Sequence, residues 1–175
     1  MDVDLARVRA FAAPADFSNW LAAHHAVETE LWLKLYKKTS GTTSISWAEA
    51  VVEALAWGWI DGLKKSCDQA SWYQRFTPRK SKSVWSKINC DHVERLIAEG
   101  RMQPAGQVTV DAAKADGRWD AAYSGSATME FPEPLLTAIA SDATAQATFD
   151  GLKRAQRYTM YHRLQTVKKT RPVGY

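Results

Sequence analysis

Cysteine is nearly missing from this chain: of 175 residues, only Cys67 and Cys90 carry a thiol. Two are too few for a disulfide framework, and they read as reduced thiols of a cytoplasmic protein. No stretch reaches the roughly 20 apolar residues that a transmembrane segment needs. The opening "MDVDLARVRAFAAP" has acids where a secretory leader carries lysines. Phosphate-loop, dinucleotide-fold, zinc-protease and nucleophile-elbow signatures are all absent. Internal repeats, low-complexity tracts and long linkers are missing as well, so residues 1–175 are expected to form one domain.

Histidine is also scarce, at four residues. His24 and His25 are adjacent and diverge by about 100° on a helix, a poor arrangement for sharing a metal. Cys90 and His92 stand two apart and would not face each other on a helix. The expectation is therefore no metal, no cofactor and no assigned catalytic residue.

Charge and aromatics are what the chain does have. Its net charge is +4, and it carries eight tryptophans. The charge is blocked: residues 60–90 hold seven basic and two acidic groups, and 151–175 hold seven basic groups and no acid. The intervening 91–150 hold four basic and ten acidic groups. Such patterning can build one positive face or be neutralised by folding the blocks together.

Hydrophobic spacing predicts an α+β fold, a small three-stranded antiparallel sheet packed against helices and followed by a helical C-terminal half. "DFSNWLAAHHA" reads as a helix capped by Asp16. "ELWLKLYKK" alternates, with Leu31, Leu33 and Leu35 toward the core and Trp32, Lys34 and Tyr36 opposite. Ser46 and Glu49 form a capping box that opens a helix over "WAEAVVEALAWG", with Trp59 on its apolar stripe. Strands near 31–38, 60–67 and 71–77 then make the sheet, with Asp61-Gly62 supplying a positive φ at a turn or bulge. Asn89 is expected to cap "CDHVERLIAE", Pro104 to open "PAGQVTVDAAKAD", and Asp142 to cap one long basic helix through Lys169.

The densest chemistry lies in "SWYQRFTPRKSKSVWSKIN". Rings interleaved with cations suit stacking on bases and neutralising phosphates, a single-stranded nucleic-acid platform. The same tryptophans can equally be core, with the lysines an ordinary solvated loop. Asp61 reads either as a turn residue or as an acid–base group. The candidate binding locus is Trp57, Asp61, Tyr73, Arg75, Arg79, Trp85 and Lys87, converging where the helix exit meets the hairpin.

"ALAWGWIDGLKK", "YQRFTPRKSKSVWSKIN", "RLIAEGRMQPAG" and "AAKADGRWDAAY", in that order, resemble the bacterial YdeI/OmpD-associated, or bacteriocin-protection, family over roughly residues 14–170. That resemblance implies resistance to bacteriocins and cationic antimicrobial peptides, without an assigned reaction. Relatives continue with a basic tail, whereas this sequence stops at "RPVGY". The functional expectation is a non-enzymatic stress-tolerance protein whose basic patch takes an anionic ligand or acidic partner. The alternatives are a nucleic-acid binder and an enzyme acting on an acidic small molecule, the latter requiring a concave site at the hairpin.

Overall fold

The computed structural model describes residues 2–166, so residues 167–169 and the "RPVGY" terminus lie outside it. The chain forms two compact units, one of residues 1–83 and 89–120, the other of 84–88 and 121–175. The elements are β1 (Val8–Arg9), α1 (Pro14–His24), β2 (Leu31–Tyr36), α2 (Trp47–Ala56), β3 (Trp59–Ser66), β4 (Ser71–Pro78), α3 (Lys87–Ala98), α4 (Pro104–Ala115), α5 (Glu133–Ala140), α6 (Ala143–Gly151) and α7 (Arg154–Thr166).

The α+β class holds, but the sheet has four strands in the order β1-β2-β4-β3. β2, β4 and β3 pair antiparallel as expected, whereas β1 adds a parallel edge through Val8↔Trp32 and Arg9↔Leu33. A two-residue strand after a 3₁₀ turn has no alternation to read, so sequence periodicity could not reveal it. β3 is left as the other edge.

Cross-strand partners share a face. Leu31, Leu33 and Leu35 stand opposite Phe76, Gln74 and Trp72 on one side. The three leucines and Phe76 are buried there, and Phe17 of α1 meets Phe76 edge-on at 5.5 Å. Trp32, on the aromatic–basic face opposite the leucines, is fully buried as well. It stands between Val8 and Arg75, and both neighbouring strands flank it.

The Ser46–Glu49 capping box forms with both of its bonds, at 3.3 and 2.8 Å. α1 starts two residues earlier than expected, at Pro14, and Asp16 instead accepts the Ala13 N–H from the third helical position. α2 stops at Ala56 because Gly58 adopts φ +75°. Trp59 therefore opens β3 rather than extending the helix stripe, and its indole N–H donates to the His25 carbonyl at 3.2 Å. Gly62 is not a positive-φ residue; the irregularity is a register shift between Asp61 and Lys64.

The helix exit is locked from outside. The Gln103 N–H donates to the Ala56 carbonyl at 3.1 Å, which sets the first turn of α4 on the end of α2. A methyl group on Gly106 would lie 2.2 Å from the Ala56 oxygen, and one on Gly58 would lie 2.9 Å from the Ala105 oxygen. The backbones touch because neither position has a side chain. Beside this contact, Glu53 of α2 is buried against the Arg101 guanidinium, which also binds Glu99.

In the second unit Tyr123 bridges Ser86, exchanging backbone bonds with Trp85 and Lys87. Phe131 meets Phe149 and Tyr161 edge-on, and the Tyr161 hydroxyl accepts the Ser124 N–H at 3.2 Å. The single long C-terminal helix expected after Asp142 is two helices. Asp142 does cap α6, but Gly151 ends it and Leu152 is extended. Gln156 then accepts the Lys153 N–H at the start of α7. α3 begins at Lys87, two residues before the expected cap at Asn89.

Gly106→Ala is expected to destabilise the protein by about 3 kcal/mol or more, at the upper end of overpacking penalties. Urea denaturation measures this directly, and Gly151→Ala, whose added methyl would meet open space, serves as the control.

Candidate functional site

Strand pairing sorts the candidate residues before any ligand is considered. Asp61 stands opposite Phe76, on the leucine face, and Arg75, one residue earlier in β4, projects to the other face. The expected meeting of Asp61 with Arg75 therefore does not form. Arg75 Nε instead donates to Glu30 at 2.7 Å. Asp61 accepts the indole N–H of Trp47 at 3.0 Å. Burial, the largest influence, pushes its carboxyl above the ordinary range, against the opposing pull of that hydrogen bond and of the Arg79 charge. Asp61 and Arg79 thus share an electrostatic neighbourhood.

The aromatic members separate in the same way. Trp57 donates to Ser18 Oγ at 3.3 Å and packs its ring 4.8 Å from His25. Tyr73 lies on the Arg75 face, where hydrogen bonding with Cys67 holds its hydroxyl above the usual pKa. Trp85 and Lys87 belong to the second unit, where Trp85 is buried. Trp72 and Tyr73 point to opposite faces, and Phe76 is core, so "SWYQRF" does not present one stacking platform.

Around Arg79 the chain does gather cations. The Arg79 N–H donates to the Gly58 carbonyl at 2.9 Å, fixing the exit of β4 on the locked helix end. Arg79, Lys80 and Ser81 then line a cleft of about 220 Å³ with Val108 and Thr109 of α4 and with Arg118. Arg118 is held on both sides, by the Asp116 carboxylate at 2.8 Å and by the Ser83 carbonyl at 3.0 Å. The Arg118 bond is the main reason Asp116 titrates below its usual range. Three cationic side chains thus line one cleft, with the Asp116 carboxylate paired to Arg118.

Arg118 and Thr109 were not legible as site residues. The available signal was "KADGR": Gly117 adopts φ +79°, and the turn leads directly into Arg118. Cys90 is buried and its thiol is pushed up to about 11, mainly by burial, so it stays protonated at neutral pH. Burial is also what chiefly lowers the pKa of His92, and its Nδ1 lies 3.4 Å from Arg95. Among the described residues, no group of three or more His, Cys, Asp or Glu is placed to hold a metal ion. No helix among them is long and apolar enough to cross a membrane.

A carboxyl raised by burial binds its proton more tightly folded than unfolded. The stability it contributes is complete below the unfolded carboxylate value and is lost as pH rises through the folded one. Denaturation midpoints of the native chain should therefore fall across the interval just above the ordinary carboxylate pKa. Asp61→Asn should remove that component while its amide oxygen still accepts the Trp47 N–H.

Residues 9–109 match the family model described as Domain of unknown function (DUF8412). Residues 128–171 match the model described as Bacteriocin-protection, YdeI or OmpD-Associated. The YdeI/OmpD-associated likeness is thus matched at the C-terminal end, while "GWIDG", "QRFTPR" and "MQPAG" fall within the first match. No curated protein and no solved structure matches the chain. The chain belongs to the DUF8412 family, whose model spans more than half of it, and carries a YdeI/OmpD-associated segment after it.

Proposed function

We propose that this family member is a cytoplasmic, non-enzymatic stress-tolerance protein, associated with resistance to bacteriocins and cationic antimicrobial peptides, that acts by binding an anionic ligand. The observation that carries this reading is the convergence of Arg79, Lys80 and Arg118 on one cleft. Guanidinium groups present fixed, planar donors suited to phosphate or carboxylate oxygens, and Lys80 adds a mobile point charge. The neighbouring Ser81 supplies a hydroxyl, while Thr109 directs its own proton to the Gly106 carbonyl at 2.8 Å.

The site is a modified form of the expected patch. Arg79 stays, Arg118 and Lys80 take the places of Arg75 and Lys87, and Arg75 is committed to Glu30. A lining that holds three cationic side chains favours an acidic ligand over direct capture of a cationic peptide, so protection would run through that ligand. The YdeI/OmpD-associated segment supports the link to peptide tolerance.

Pyrophosphate binding followed by calorimetry tests the proposal. Arg79→Ala combined with Lys80→Ala should weaken affinity about tenfold or more, the scale of one lost charge-assisted hydrogen bond. Affinity of the parent should also fall as salt is raised. Cells carrying the double variant should survive a cationic peptide less well. Unchanged pyrophosphate affinity together with unchanged survival would remove this reading.

A further inference from the structure

A second cleft, separately lined, opens on the leucine face at the bulge of β3. It has a volume of about 320 Å³ and is lined by Trp47, Asp61, Gly62, Lys64, Trp72 and Gln74. The volume is at the low end for ligand sites, room for one small molecule rather than a strand or peptide. Its floor is rigid: Gln74 is 4% exposed, and its amide donates to the Gly62 carbonyl at 2.9 Å. Trp47 projects from the first turn of α2 and is 48% exposed, an unusual solvent presence for so large a side chain.

The lining specifies a ligand by its chemistry. Two indoles favour a flat π-system. Asp61 is an acceptor, already taking one N–H from Trp47, with lone pairs remaining for further donors. Lys64 stands 4.9 Å over the Trp72 ring, so a cation already covers that wall, and its long stem can swing the ammonium outward. A second cation would be repelled by Lys64, whereas an anionic group beside the ring would be paired by it.

We propose that this cleft binds a guanine nucleotide, the base lying against Trp47 and Trp72, its adjacent N1–H and N2–H donors directed to Asp61 and its phosphate paired by Lys64. Aromatic stacking is available to every base, so the carboxylate must supply selectivity. Guanine alone among the four common bases offers two neighbouring donors on its pairing edge. Adenine, cytosine and uracil set an acceptor beside their donor, and that acceptor would face the carboxylate.

Tryptophan fluorescence and calorimetry with GMP, AMP, CMP and UMP decide the matter. GMP should quench fluorescence and bind about tenfold or more tightly than the others, the discrimination expected of one bidentate base contact. Asp61→Asn should erase that preference, and Lys64→Ala should weaken GMP while leaving guanosine unchanged. Trp72→Ala should weaken GMP and reduce the quenching to what Trp47 supplies, and circular dichroism of each variant separates a folding defect from a lost site. A short single strand holding one guanine distinguishes the source: tighter binding than GMP places the base within a strand, weaker binding marks the free nucleotide. No binding by any of the four nucleotides overturns the proposal, as does equal binding of all four or a GMP preference that survives Asp61→Asn. Because Lys64→Ala and Trp72→Ala leave Arg79, Lys80 and Arg118 untouched, pyrophosphate affinity should persist in those two variants, which tells a failed GMP site from a failed basic cleft.

Discussion

The contact of Gly106 with the carbonyl of Ala56 fixes more of the first unit than any other single approach. It lets the first turn of α4 reach the end of α2, where the Gln103 N–H completes the same carbonyl's hydrogen bonding. Gly58, turned to positive φ, then accepts the Arg79 N–H on its own carbonyl, so the exit of β4 is fastened to that corner. The basic cleft is the outcome. Arg79 can face Val108 and Thr109 only because α4 has been brought against the helix end by two missing side chains. The tryptophans around Gly58 are accordingly scaffolding: Trp59 is tied to His25 and Trp57 to Ser18, and neither enters either cleft.

Local chemistry was legible where a residue answers its immediate neighbours. The Ser46–Glu49 box and the Asp142 cap each rest on bonds spanning a few residues, and each is present. The leucine face of β2 was equally clear, because alternation is enforced by the pleat. Less legible was anything decided by a distant partner. Trp32 reads by its spacing as lying opposite the core leucines, and it is buried on that side too, where Val8 pairs alongside. Arg75 reads as a ligand group and is claimed by Glu30, forty-five residues earlier. The break at Leu152 was visible in principle, since glycine precedes it, but the alanine-rich run before it and the basic run after it both carry a helical composition.

The candidate locus was half readable for the same reason. Proximity along β4 put Arg75 and Arg79 together on paper, whereas the pleat and the strand end send them to different surroundings. Arg118 enters the cleft from beyond α4, through a turn whose glycine was plain but whose direction was not. Asp61 and Arg79 remain electrostatically aware of one another, so charge placed near either alters the ionisation of the carboxyl.

The outer margin of the sheet has a bearing on how the protein behaves in a crowded solution. β3 is the terminal strand, and it turns exposed Lys64 and Lys65 to solvent beside a break in its ladder. A regular apolar margin would offer its unpaired amides and carbonyls to any other extended chain. Here repulsion between like ammonium groups and an interrupted repeat deny a neighbour the continuous template needed to zip on. The same lysines that colour the hairpin basic thus also make that margin a poor template for edge-to-edge pairing.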